Sequence, residues 1–385
     1  MKQKTFVLAP DSFKESMTAK EVCKAMESGL KKVYPDANFI HVPMADGGEG
    51  TTQSLVDATN GTLYSCQVTG PLGDKVTAHY GILGDKTTAV IEMASASGIQ
   101  LISKEKRNPL ITTTYGTGEL ILACLKHDVK KIILGIGGSA TNDGGAGMAQ
   151  ALGVKFYDKD HKILSKGGGA LAELVKIDVT DINPALNTVQ FIVASDVTNP
   201  LCGEKGASNV FGPQKGATPE MVKQLDNNLK HYASIIQSQL GKDVASIPGA
   251  GAAGGLGAGL MAFTNSKMER GIDIVIQYSD LKNKLKGADF CFTGEGGIDF
   301  QTKFGKTPYG VAQVAKNLSI PVIALAGTVG KNINELYPEG IDAIFGIIPC
   351  AANIEDLLDS GFCNIERTSE NIARLINIAQ LKNKI

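Results

Sequence analysis

Apolar residues recur along this chain in two alternating rhythms, and the alternation predicts an α/β protein. Short β-branched runs read as buried strands: Thr5 to Ala9, Asn38 to Val42, Thr87 to Met93, Lys131 to Leu134 and Gln190 to Ala194. Ala288 to Phe292, Ile320 to Ala326 and Ile341 to Ile348 continue the series. Between them lie segments of helical period. Val22, Ala25, Met26, Gly29, Leu30 and Val33 fall on one face of a helix that Thr18 and Glu21 open as a capping box. Thr218-Pro219 opens a longer helix with Val222, Leu225, Leu229, Tyr232, Ile236 and Leu240 inward. Ser369 is expected to cap a last helix, with Ile372, Leu375, Ile376 and Ala379 inward.

The order of these elements sets the domains. The chain opens as βαβ, the unit of a parallel sheet. From about Cys66 the strands shorten and hairpin-like turns appear, and near residue 285 the α/β rhythm returns. The expectation is a discontinuous domain of residues 1–65 and 285–385, with a second α/β domain inserted at 66–284. A cleft between them would take a small ligand.

Composition narrows the classes. A formal net charge of −1 gives no global field for nucleic acid or an anionic membrane. The seven cysteines are scattered without a C-x-x-C pair, and the five histidines without an H-x-x-x-H pair, which suits a reduced protein without a zinc knuckle. Val244 to Ser266 is uncharged but too rich in glycine for a membrane span, and the first residues show no signal-peptide pattern. A cytoplasmic location is expected. Glycine is the outlier, with 45 residues where average usage gives roughly 27. The surplus belongs in ordered turns that need positive φ or close backbone approach.

One such turn organises the candidate chemistry. Gly135-Ile-Gly-Gly-Ser-Ala-Thr-Asn-Asp-Gly-Gly-Ala-Gly147 follows a strand and precedes a helix, the geometry in which backbone N–H groups converge on an anion. A tight βα turn without ligand is the plainer alternative. Gly135-x-Gly-x-x-Ala140 and Gly249-x-Gly-x-x-Gly254 also match dinucleotide fingerprints, as a glycine-rich chain does by chance. No Walker A or protein-kinase signature is present. What stands out is the set of charged residues beside glycine, serine or threonine: Asp11, Asp46, Glu49, Asp143, Asp196, Glu295 and Asp299, with Lys14, Lys215 and Lys306. Phosphoryl transfer needs such parts: backbone nests, carboxylates for Mg²⁺, lysines for equatorial oxygens and a carboxylate to accept a hydroxyl proton.

Longer phrases carry a resemblance. Ala9-Pro-Asp-Ser-Phe-Lys14, Pro43-Met-Ala-Asp-Gly-Gly-Glu-Gly-Thr51 and Gly137 to Gly147 resemble the glycerate kinase family. So do Asp196 to Gly203, Val210 to Gly216 and Thr293-Gly-Glu-Gly296, in order over essentially the whole chain. The resemblance implies ATP-dependent phosphorylation of D-glycerate with Mg²⁺, usually to 2-phosphoglycerate. It also implies a Rossmann-like domain built from both chain ends and an inserted flavodoxin-like domain. On this reading Asp196 is the general base or a metal-linked group, with Lys14 and Asp46 also catalytic. Asp11, Ser12, Gly47, Gly48 and Glu49 would bind the acceptor. Gly137, Gly138, Ser139, Asn142, Asp143 and Lys215 would bind the nucleotide, and Glu295 and Asp299 the metal. Glu15 stands where the family usually has glycine, and Gly297 where arginine is usual, so a bidentate fork is missing. A small-molecule partner is expected, with neither nucleic acid nor membrane, and a homodimer is a candidate assembly. The other classes are an NAD-linked oxidoreductase of a 2-hydroxy acid and a non-catalytic small-acid sensor.

Overall fold

The computed structural model describes residues 3–382. Its first strands are β1 (Thr5–Leu8), β2 (Asn38–His41), β3 (Thr62–Thr69), β4 (Lys75–Ile82) and β5 (Thr88–Glu92). β6 (Lys131–Gly135), β7 (Lys155–Tyr157), β8 (Lys176–Asp178), β9 (Gln190–Ala194) and β10 (Ser266–Glu269) follow. β11 (Phe290–Ile298), β12 (Val322–Val329) and β13 (Ala343–Gly346) complete the set. The chain divides into two compact units, one of Met1–Asp46, Gln53–Asn60 and Gly271–Ile385, the other of Gly47–Thr52 and Gly61–Arg270.

The first unit is built around a parallel sheet in the order β2-β1-β11-β12-β13, so both ends of the chain supply it. The expected doubly wound parallel sheet is built from both chain ends, but its strand order is the flavodoxin-like one that the resemblance assigns to the inserted domain, with its switch point between β1 and β11. The helix Ala19–Lys31 opens with the expected capping box: Thr18 Oγ1 accepts from the Glu21 N–H, and the Glu21 carboxylate from the Thr18 N–H. Its Val22, Cys23, Met26 and Leu30 bury against Phe6, Leu8, Phe292 and Leu325. The final helix, Gly361–Lys382, packs beside it. Contact is close at Gly29, where a Cβ would lie 2.1 Å from the Glu366 carbonyl oxygen. Ser369 does not cap that helix but lies buried within it, and Leu375 faces outward, 60% exposed. The helices Gly271–Tyr278 and Leu281–Leu285 also belong to this unit, which therefore begins before residue 285. A Cβ on Gly310 would meet Ile272 Cγ1 at 2.2 Å, so the helix Thr307–Lys316 fits against them only with glycine there.

β11 differs from the sequence expectation. The strand expected over Ala288 to Phe292 runs on through Thr293 to Ile298 and pairs with β12 out to Ile298↔Val329. Glycine disfavours strands, but a parallel neighbour of similar length supplies the ladder, and pairing overrides local preference.

The second unit holds a mixed six-stranded sheet, β10-β9-β6-β5-β4-β3. The β10, β9, β6 and β5 neighbours are parallel, while β5, β4 and β3 form an antiparallel meander. β7 and β8 make a separate antiparallel pair. One registered row crosses the C-terminal ends of the four parallel strands: Glu92, Gly135, Ala194, Glu269. Leu120, Ile121, Ile132, Leu134, Phe191 and Val193 are among the side chains of its main core.

Glycine 249–259 is helical from Ala252, with a kink of three left-handed residues: Ala253 (φ 54), Gly254 (φ 68) and Gly255 (φ 89). The reason is backbone-to-backbone packing. A Cβ on Gly254 would lie 1.9 Å from the Thr141 carbonyl oxygen, and one on Gly259 2.6 Å from that of Gly144. Gly144 N–H also donates to the Gly254 carbonyl at 3.0 Å. The Gly249-x-Gly-x-x-Gly254 match is therefore a packing seam. Among the described residues no helix is long and apolar enough to cross a membrane, and the seven cysteines are unpaired.

Candidate active site

In the first unit, the switch point gathers carboxylates. Beyond β1 the chain continues alongside β11: Ala9 N–H donates to the Phe292 carbonyl and Asp11 N–H to that of Gly294. Met44 N–H donates to the Pro10 carbonyl, which carries Pro43 to Asp46 along the other side. Open α/β sheets bind ligands at this place, past the strand ends where helices depart to opposite faces.

Asp11 Oδ2 accepts from Thr307 Oγ1 at 2.5 Å, and Oδ1 accepts from the Ser12 N–H at 2.6 Å. Burial pushes the Asp11 carboxyl up to about 6 against those hydrogen bonds, and the charge of Asp46 adds to the rise. Glu295, on β11, accepts from Lys306 Nζ at 3.3 Å and from Thr302 Oγ1 at 3.2 Å. Burial raises it to about 7; Lys306 opposes the rise and Asp11 adds to it. Two desolvated, mutually repelling carboxyls thus lie together at the strand ends, a pattern typical of functional sites. Asp299 is otherwise engaged: its Oδ1 accepts from the Gln301 N–H at 2.8 Å and caps the turn Phe300–Lys303. Lys14 is exposed on the turn Phe13 to Met17, where Glu15 holds the left-handed conformation (φ 64). Glycine adopts that φ without strain, which gives a steric reason for the glycine that the resemblance implies at this position. Gly297 is exposed, and a Cβ there meets nothing within 4 Å.

In the second unit, the glycine turn beyond β6 is exposed only at Gly137 and Gly138. Gly138 is left-handed (φ 72), and its carbonyl accepts from the Ile99 N–H. The segment Gly47-Gly48 lies against the turn: a Cβ on Gly135 would be 3.0 Å from the Gly47 carbonyl oxygen. Glu92 fixes this segment. Its carboxylate accepts from the Gly50 N–H at 3.2 Å and the Thr52 N–H at 2.7 Å, at the start of the helix Thr51–Thr59. Burial raises its pKa against those bonds. Glu49 is exposed on the same segment. Asp196 is exposed two residues past the C-terminal end of β9, the strand beside β6.

From Thr141 inward the turn is interior. Asp143 is fully buried and accepts from the N–H groups of Thr114, Gly145 and Gly147 and from Thr114 Oγ1. Burial raises its pKa against that set. Asn142 Nδ2 donates to Ser208 Oγ at 2.9 Å. Lys215, 2% exposed, donates to Ser139 Oγ at 2.7 Å and to the Thr141 carbonyl at 2.6 Å. Burial pulls its ammonium down to about 7, which nearby Asp143 resists. Of the residues assigned to a nucleotide, Gly137, Gly138 and Ser139 thus form the outer rim, while Asn142, Asp143 and Lys215 hold the rim from within.

Asp11, Asp46 and Glu295 come together in the first unit, and Gly47, Gly48, Gly137 and Gly138 in the second. Sequence reasoning missed Glu92, Thr114 and Thr307. Glu92 ends an apolar strand at a strand terminus, the one signal that could have flagged it. Among the described residues no three His, Cys, Asp or Glu side chains are placed to hold a metal ion.

Known proteins resemble this chain along its length. The Glycerate kinase family matches residues 6–377. A glycerate kinase of Halalkalibacterium halodurans is 54% identical over 369 residues, 96% of this chain and 97% of its own. A glycerate 2-kinase of Escherichia coli K12 is 49% identical over 372 residues, 97% and 98% of the two chains. A solved chain from Salmonella typhimurium LT2, assigned as a glycerate kinase 2, is 47% identical with a TM-score of 0.91, covering 98% of this chain and 100% of that one.

Proposed function

The chain belongs to the glycerate kinase family, and on that premise we propose that it transfers the γ-phosphoryl group of ATP to the 2-hydroxyl of D-glycerate, giving 2-phosphoglycerate and ADP. It is an enzyme, a phosphotransferase with an alcohol group as acceptor. The observation that carries the finer reading is its 49% identity to a glycerate 2-kinase over nearly both chains.

The site chemistry is consistent with it. Gly137 and Gly138 lack side chains where a polyphosphate would approach the backbone, and Ser139 adds a hydroxyl at the same rim. Mg²⁺ bound with the nucleotide would neutralise charge on the phosphate oxygens. Glu295 with Asp11 suits a cation better than Glu295 with Asp299. The first pair is desolvated and self-repelling, whereas Asp299 already caps a turn. Lys14, exposed beside Ser12, is a cation suited to a small carboxylate. Asp196, an exposed carboxylate past a strand end, would take the acceptor's hydroxyl proton, with Asp46 supporting the acceptor side. ADP release that requires D-glycerate, with glycerol far poorer, is the expected result. Equal turnover of the two alcohols would overturn a carboxylate-reading site.

A further inference from the structure

We propose that Lys215 is a positioning residue that fixes the Ser139 hydroxyl as a hydrogen-bond donor toward an anion at Gly137 and Gly138. The inference rests on the nucleotide reading above and adds a division of labour within it.

An ammonium group donates three hydrogen bonds and accepts none. In its charged form, which nearby Asp143 favours, Lys215 with Nζ 2.7 Å from Ser139 Oγ makes the serine oxygen the acceptor. Its own hydrogen is then directed away from Lys215. No acceptor for that hydrogen is recorded among the described residues, and the serine borders the two exposed glycines. Little else about Ser139 can move. Its backbone pairs with Gly98, the Ile99 N–H donates to the Gly138 carbonyl, and the Ala140 N–H donates to that of Ser97. The free coordinate is the hydroxyl torsion, and Lys215 sets it. A desolvated cation bound to the oxygen also polarises the O–H and makes it a better donor to phosphate. Lys215 is itself held in place. Its carbonyl-side neighbour Gly216 is left-handed (φ 91), and a Cβ there would lie 2.5 Å from the Arg107 carbonyl oxygen. A lysine exposed to solvent could contact phosphate directly; this one, 2% exposed, acts through the serine.

The test is a double-mutant cycle on ADP affinity by isothermal titration calorimetry, using Lys215→Met, Ser139→Ala and the pair. Each single change should weaken ADP about tenfold, and the pair should bind no more weakly than Lys215→Met alone. Ser139→Thr, which keeps the hydroxyl, should restore affinity to within threefold. The KM for ATP should rise in Ser139→Ala with kcat nearly unchanged. Ser139→Ala is read on its own should Lys215→Met not fold. Unchanged ADP affinity in a folded Ser139→Ala variant overturns the proposal, as do additive losses in the cycle. If the unaltered protein binds no ADP, the nucleotide reading itself falls, and this proposal with it.

Discussion

Thr307 Oγ1 donates to Asp11 Oδ2 at 2.5 Å, tying the end of the first strand to the start of a helix far along the chain. This bond opposes burial of the Asp11 charge without cancelling it, since the carboxyl remains raised to about 6. The pair sits at the switch point of the parallel sheet, where its order changes direction.

Asp11 should therefore cost stability when ionised. A carboxyl raised in the fold binds more protons there than in the unfolded chain over the window from about 4 to about 6. Its contribution is present below that window and is lost as pH rises through it. Glu295, raised to about 7, extends the decline upward. Asp11→Asn removes the charge and can keep the bond from Thr307, at the loss of the one from the Ser12 N–H, which offsets part of the gain. Its melting temperature at pH 8 should exceed that of the unaltered protein, by on the order of 2 kcal/mol in stability, while kcat falls. Thermal melts at pH 4 and pH 8 check it; a variant less stable at pH 8 contradicts the assignment.

Glu15 offers a gain without an active-site change. At φ 64 an L-residue carries roughly 1–2 kcal/mol of strain. Glycine relieves it but brings backbone entropy of roughly 0.5–1 kcal/mol. Glu15→Gly should stabilise by up to about 1 kcal/mol, read from urea midpoints at constant m. A destabilised variant would show that the carboxylate makes a contact worth more than the strain.

Two glycines should respond in opposite ways. Gly254→Ala puts a Cβ 1.9 Å from the Thr141 carbonyl oxygen at a left-handed position, and should destabilise by several kcal/mol, about 3 or more. Gly297→Ala meets nothing within 4 Å and should change stability by less than about 0.5 kcal/mol. Similar melting temperatures for the two would refute the packing-seam account of the 249–259 run.

Much of this was legible in the sequence, for physical reasons that differ by residue. The Thr18–Glu21 box and the Gln190 to Ala194 strand are local signals, and both hold. The Thr218-Pro219 start holds too. Ala288 to Phe292 is legible as strand from its own apolar run; the extension to Ile298 is not, because the partner that completes it, β12, comes later in the chain. Ser369 looked like a cap because helix starts favour serine, yet the helix begins at Gly361. At the site, the acidic and glycine residues were visible by composition. Their depth was not: burial of Asn142, Asp143 and Lys215 depends on segments such as Tyr115–Leu125 and Ala252–Phe263 packing over the turn.

In the proposed reaction Asp196 takes the acceptor's proton. Exposed beyond β9, it can receive a hydroxyl proton, and asparagine cannot. Asp196→Asn should lower kcat by roughly 10²–10⁴ with the KM for ATP little changed. A folded variant retaining most of its kcat would assign Asp196 to the following turn instead.

The proposed transfer of phosphate from ATP to the 2-hydroxyl of D-glycerate is read out directly by its product. A ³¹P NMR spectrum of the purified protein with D-glycerate, ATP and Mg²⁺ should show ADP and one new monoester resonance, that of 2-phosphoglycerate, split by the single proton on C2. A triplet-type coupling to two protons, the mark of 3-phosphoglycerate, would contradict the regiochemistry, and no new monoester would contradict the claim itself.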